Sequence, residues 1–255
     1  MMPVPPFMEE QRVGRARLPI LNVLILSASV ALFCGCNWLA GKKPPPPMDY
    51  GVETPYDGVK TLAVAPAINL SGSHDFDPLV VSDCLFSEMQ QVHGLNVLPL
   101  NKTLMAMRRL GLHSIDDVSA AQHLAEAMGA DGIVIAAVTA YDPYKPPMVG
   151  MVLQMYTPPG APVKTEPARA MGAERNMEGM GDSERQPVSQ VSAVFNATNQ
   201  TVLKELQGFA AGRSDYDSGL QGDRYLYDSD AYMRFVCHAM IRRLLDVERD
   251  RVSDR

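Results

Sequence analysis

The chain has 255 residues, 46% of them hydrophobic and 20% charged, with a formal net charge of −6. Removing the first 35 residues takes away Arg12, Arg15, Arg17, Glu9 and Glu10, so the remainder carries about −7 (−6 − 3 + 2). That balance weighs against nucleic acid as a partner, since phosphate binding needs a basic face, and the remaining ~220 residues allow one medium domain with insertions or two small ones.

In chain order, three arginines, Arg12, Arg15 and Arg17, lead into Leu18 to Cys34, which is apolar apart from Asn22, Ser27 and Ser29. The run is slightly short for a spanning helix, which needs roughly 20 apolar residues. It has the order of a secretion signal: charge, apolar core, small residues. Its end, Phe33-Cys34-Gly35-Cys36, resembles the lipobox of bacterial lipoproteins, in which a small residue precedes the cysteine that is diacylated and becomes the mature N-terminus. Gly35 fits that position before Cys36, whereas Phe33 before Cys34 is too bulky. The box departs from the usual pattern at Phe33, where Leu is common. The resemblance implies lipidation of Cys36; the other reading is an uncleaved anchor with two incidental cysteines. Lys42 and Lys43 then precede Pro44 to Pro47, a stiff extended spacer suited to lifting a domain off a bilayer. We expect a signal peptide over 1–35, a lipidated Pro-rich tether over 36–57, a single domain over 58–250 and a short tail over 251–255.

Within the domain, Thr61 to Ala67 reads as a buried strand and Asn69 to Gly72 as a polar turn. Val81, Cys84, Leu85, Glu88, Met89 and Val92 recur at helical spacing, with Asp77 and Pro78 as start signals and His93-Gly94 as the stop. Leu95 to Leu100 is a short strand. Asn101 is placed to cap a helix with Leu104, Met107 and Leu110 inward, ending at Gly111. Ser114 to Asp117 opens a further helix with Val118, Ala121, Leu124, Ala127 and Met128 inward. Gly129 to Gly132 turns into a continuous apolar strand, Ile133 to Ala140, and Met148 to Tyr156 is another. Residues 157–187 lack periodicity and read as a mobile, disordered loop between paired strands, since Val188 to Asn196 is strand-like. Residues 201–212 fit a helix, with a hairpin strand as the alternative. Asp228 or Ser229 caps a long helix with Tyr232, Phe235, Val236, Ala239, Met240, Leu244 and Val247 on one face and Arg234, Arg242, Arg243 and Glu248 largely on the other. The sheet of the same domain or a partner protein could cover that apolar face.

The segment Lys60-Thr-Leu-Ala-Val-Ala-Pro-Ala-Ile-Asn-Leu-Ser-Gly72 resembles the opening strand of the curli-secretion lipoprotein superfamily. That superfamily includes the TolB N-terminal domain and the outer-membrane lipoprotein activators of penicillin-binding proteins (the LpoB type). Leu110 to Asp117, followed by Leu124 to Val134 with its Gly-Ala-Asp-Gly turn, resembles the next segment of the same pattern. The resemblance covers residues 58–157 and extends in weaker form over 188–212. It implies an α+β fold, a mixed β-sheet flanked by helices, anticodon-binding-domain-like, here with a long C-terminal helix. It also implies work by binding or assembly in the cell envelope. Pore-forming members insert hairpins of roughly 9–11 alternating residues per strand. No such pair exists outside the expected sheet, so a secretion channel is disfavoured.

Catalytic signatures are missing from the sequence. No phosphate-binding glycine loop, Ser-x-x-Lys or Gly-x-Ser-x-Gly occurs. His74, His93, His113, His123 and His238 do not cluster at metal spacing and read as surface or cap residues. Asp215, Asp217, Asp223, Asp228 and Asp230 form an acidic stretch without the glycine and glutamate of a calcium loop, which reads as a solvated loop plus a cap. Cys84 and Cys237 sit on helices amid apolar neighbours; both a free pair and a bridge are open. We therefore expect a non-enzymatic envelope lipoprotein, without cofactor or metal. It would be held to a membrane by its lipid, facing the periplasm from the outer membrane, and bound to another envelope protein. An oligomeric assembly or secretion component and a hydrolase with an unrecognised site are the alternatives.

Overall fold

The computed structural model describes residues 51–115, 117–159, 186–211, 213 and 221–253. Cys36, the proline tether before residue 51, Asp215, Asp217 and nearly all of the 157–187 loop lie outside these. Among the described residues no helix is long and apolar enough to cross a membrane.

The sheet is mixed and six-stranded. Strands β1 (Lys60–Val64), β3 (Leu95–Leu98) and β4 (Gly132–Asp142) run parallel, in the order β3-β1-β4. β5 (Met148–Tyr156) and β6 (Ser189–Asn196) continue it antiparallel, and the two-residue β2 (Ile68–Asn69) pairs with the far part of β4. The expected polar turn at Asn69 therefore begins inside a strand. Among the described residues six helices accompany the sheet: α1 (Pro78–Met89), α2 (Leu100–Leu110), α3 (Val118–Ala127), α4 (Gln200–Ala211), the short α5 (Arg224–Tyr227) and α6 (Ser229–Ser253). The helical reading of 201–212 holds over the described residues 201–211.

The period-two alternation of β1 explains the layers. Leu62 and Val64 point to one face, where they join Val134, Met151, Leu153, Phe195 and the buried sides of α1, α4 and α6. Ala63 and Ala65 point to the other, where Ile133, Ile135 and Tyr156 meet Met107 of α2 and Ala121, Leu124 and Ala125 of α3. Because β4 is apolar on both faces, it must sit between two helical layers, and it does. The apolar face of α6 thus packs on the sheet of its own domain, and on α1.

Local chemistry sets the helix ends. Asp77 Oδ1 accepts from Leu79 N at 2.8 Å, Pro78 occupies the first turn, and Asp117 Oδ1 accepts from Ala120 N at 2.6 Å. Asp228 caps α6, accepting from Asp230 N and Ala231 N at 3.1 Å each. α2 departs from expectation: it starts at Leu100, after Pro99, so Asn101 lies within it and caps nothing. Leu100 is buried, which draws the first turn back by one residue. Leu110 (45% exposed) and Ala127 also point outward, because α2 and α3 each pack on the sheet along a narrow stripe. Two glycines answer to close approach. Gly94 has φ +87° and a Cβ there would lie 2.3 Å from Thr54 Cγ2. Gly150 faces the bulge between Val138 and Ala140, with Thr139 Oγ1 2.7 Å from where a Cβ would be.

Phe235 of α6 joins the layers. Its ring lies 5.5 Å from Phe195, edge-on, and 5.7 Å from both Phe209 and Tyr232. It is 1% exposed. Phe235→Ala should cost about 3–5 kcal/mol, read as a fall in the urea midpoint at unchanged slope.

Candidate functional site

Two charged clusters lie inside the domain, and one exposed apolar patch lies at its end. Each shows what the domain can do chemically.

The first cluster ties α1 to α6. Glu88 sits among the apolar residues of α1 because 3.6-residue spacing puts it on the stripe with Cys84 and Leu85. Its Oε2 accepts from Arg213 Nη1 at 2.6 Å and lies 3.6 Å from His238 Nδ1 of α6. Arg213 reaches Gln91 Oε1 at 2.7 Å and covers the Phe209 ring at 4.2 Å. Burial alone would raise the Glu88 pKa, but hydrogen bonds from His238 and Arg213 outweigh it and hold it below the usual carboxylate range. His238, read from sequence as a surface or cap histidine, is 8% exposed here.

The second cluster ties the segment before β1 to the last turns of α6. Glu248 is 0% exposed, contrary to its expected place on the polar face of α6, whereas Val247 is 39% exposed. The helix turns Glu248 towards β6, where Ser189 Oγ donates to its Oε1. Tyr56 Oη donates to Oε2 at 2.6 Å, and Arg251 holds both oxygens at 2.8 and 2.5 Å. Burial pushes the Glu248 pKa up, and the hydrogen bonds from Arg251, Ser189 and Tyr56 bring it below the ordinary value. Arg251, expected in the tail, thus lies on the last turns of α6 with a structural role. Tyr56, expected in the tether, is fastened to the domain, as is Glu53, which bridges to His93. The Ser189–Glu248 contact is not a nucleophile and its base. Ser189 is 3% exposed, and an Arg-paired carboxylate of lowered pKa is a weak proton acceptor.

The exposed patch lies where the β4–β5 turn meets the segment after β2 and the start of α6. Leu70 (62% exposed), Leu79, Val80, Tyr144 (71%) and Tyr227 (62%) share this end. Contacts tie the β4–β5 turn to its neighbours. Tyr144 Oη donates to Asp75 Oδ2 at 3.5 Å, and Lys145 Nζ stands 3.6 Å above the Tyr227 ring. Asp142 Oδ1 accepts from Tyr144 N at 3.1 Å. Asp75 and Asp230 both face Tyr141, whose phenol pKa is raised by burial first and by those charges second. An apolar, aromatic centre with an acidic rim is the composition of a protein-binding surface. The sequence reading missed these residues, because turns carry no periodicity. The aromatic in Asp142-Pro-Tyr-Lys-Pro146 was the available signal.

Among the described residues no group of three His, Cys, Asp or Glu side chains could hold a metal ion. Cys36, the one residue assigned a role from sequence, lies outside the described residues.

The chain matches no family model and no curated protein. Solved structures similar to it include the LpoB C-terminal domain from Salmonella enterica, at 12% identity and TM-score 0.38 over 58% of this chain and 87% of that one. Lipoprotein GNA1162 from Neisseria meningitidis follows at 16% identity and TM-score 0.37, over 59% and 92%. The hypothetical protein CT253 from Chlamydia trachomatis is similar at 10% identity and TM-score 0.34, over 76% and 94%. None of the three is a curli-secretion lipoprotein or a TolB domain, the other groups that the sequence resembles.

The Glu248 cluster makes a prediction about acid. A carboxyl whose folded pKa lies below its unfolded value of ~4.3 adds stability above that pH, and loses it as pH falls through the folded pKa. Arg251→Ala leaves a buried charge without its partner. It should cost about 3–5 kcal/mol at neutral pH, and acid unfolding should begin at higher pH than in the wild type. Urea midpoints across the acid range would show both effects.

Proposed function

We propose that this protein is a non-enzymatic lipoprotein of the bacterial cell envelope, anchored through diacylated Cys36, whose domain binds another envelope protein. The observation that carries the reading is Gly35-Cys36 at the end of the arginine-led apolar run, followed by four prolines. One acyl chain binds a membrane only marginally, so a diacylated cysteine suits stable anchoring. The outer membrane, facing the periplasm, is the location that fits a domain carried on a stiff spacer. The binding surface is the Leu70, Tyr144 and Tyr227 end, whose acidic rim fits a partner bearing basic residues.

The intact mass of the mature protein should correspond to a chain starting at Cys36 plus its acyl groups. The full-length unmodified mass would overturn the anchor. Pull-down after light crosslinking in cells should recover one defined envelope protein with the wild type. Tyr144→Ala and Tyr227→Ala should lose it while changing stability by less than about 0.5 kcal/mol, because both rings are exposed. Recovery of no defined partner by the wild type counts against the reading.

The alternative, an oligomeric assembly component, draws on one observation. Ala197 N donates to Pro147 O, so alternate residues of β6 face β5, and Gln190, Ser192 and Val194 turn their amides to an edge that no described strand covers. That edge carries no charged residue to discourage pairing. Light scattering on the detergent-solubilised protein decides between the two: a strict monomer removes the alternative.

A further inference from the structure

We propose that Cys84 and Cys237 close an intramolecular disulfide that staples α1 to α6 when the chain matures in an oxidising compartment. The compartment rests on the export reading above; the pairing rests on the fold. The two cysteines stand 153 positions apart in sequence (237 − 84), yet α1 and α6 pack directly on each other. Glu88, one turn after Cys84, lies 3.6 Å from His238, the neighbour of Cys237, so side chains of the two helices touch at this level. Cys84 packs against the core cluster that contains Cys237, and the Cys84 thiol is among the groups that raise the Cys237 pKa. Both are free thiols in the structure, so the bridge is a step this pair is placed to take.

The chemistry balances with an oxidant of the disulfide class, either an exported thiol–disulfide oxidoreductase or oxidised glutathione. Cys84, half-buried, is the thiol an oxidant can reach; Cys237 is fully buried, and the neighbouring Cys84 thiol and burial push its thiol pKa upward. The deprotonated Cys84 sulfur attacks the oxidant's disulfide, forming a mixed disulfide and releasing one thiol. The Cys237 sulfur, losing its proton, then displaces the second. One S–S bond forms and one breaks, two electrons pass to the oxidant, and the two protons end on its thiols. Cross-linking so long a segment restricts the unfolded chain more than a short loop would.

Peptide mapping of the detergent-extracted full-length protein, alkylated at lysis, should show a Cys84–Cys237 linked pair that reductant abolishes. Reductant should lower Tm by roughly 5–10 °C in the wild type and leave Cys84→Ala unchanged. A second arm reduces and unfolds the same protein, then refolds it in a glutathione redox buffer. Failure to form the linked pair there overturns the bridge whatever the compartment. A bridge formed on refolding, with free thiols in the protein taken from cells, upholds the pairing and sinks the export reading instead.

Discussion

Strand β4 is apolar on both sides and β5 on one, and the rest of the domain follows from covering them. Ile133 and Ile135 demand one layer of helix, and Val134, Met151 and Leu153 demand another. α2 and α3 are short and meet the first requirement with small residues such as Ala121 and Ala125. The second face is wider, because β5 and β6 extend it, and it takes α1, α4 and the 25-residue α6 together. With helices on both sides of it, α6 is buried around most of its central girth, from Tyr232 to Leu245.

That burial accounts for the charged clusters. A carboxylate inside such a layer is costly unless paired and hydrogen-bonded. Glu88 and Glu248 each receive an arginine and further donors, and each holds a residue outside the regular elements: Arg213 beyond α4, and Tyr56 before β1. The polar contacts therefore specify where loose chain attaches, while apolar packing specifies the layers. The Tyr56–Glu248–Arg251 contact fastens the segment before β1 to the last turns of α6.

The layers cover both faces at the centre and leave the strand ends open. At one end the β4–β5 turn, the loop after β2 and the start of α6 gather Leu70, Tyr144 and Tyr227 in water with an acidic rim. No core requirement explains those residues, since replacing them by polar ones would leave the packing intact. The closed layers and the open end divide the domain into a part that makes it fold and a part available to a partner.

Period and punctuation in the sequence determined most of the elements. The 3.6-residue stripe in α1, Asp77 and Asp117 as caps and the uninterrupted apolar run of β4 each express a local rule that needs no knowledge of the neighbours. The order of elements was legible for the same reason, whereas the mixed sheet was an expectation from the family resemblance. The proposed lipidation of Cys36 also rests on sequence alone, on Gly35-Cys36 at the end of the apolar run. The tertiary structure alone decided which polar residues go inside. Glu248 has the same intrinsic preference as Arg242 or Arg243, and only the proximity of Ser189, Tyr56 and Arg251 makes its burial tolerable. It also decided that Tyr144 meets Asp75, that Lys145 meets Tyr227, and that Cys84 packs on the core cluster holding Cys237. Contacts between residues far apart along the chain depend on the packing angle of whole elements, which no local period encodes.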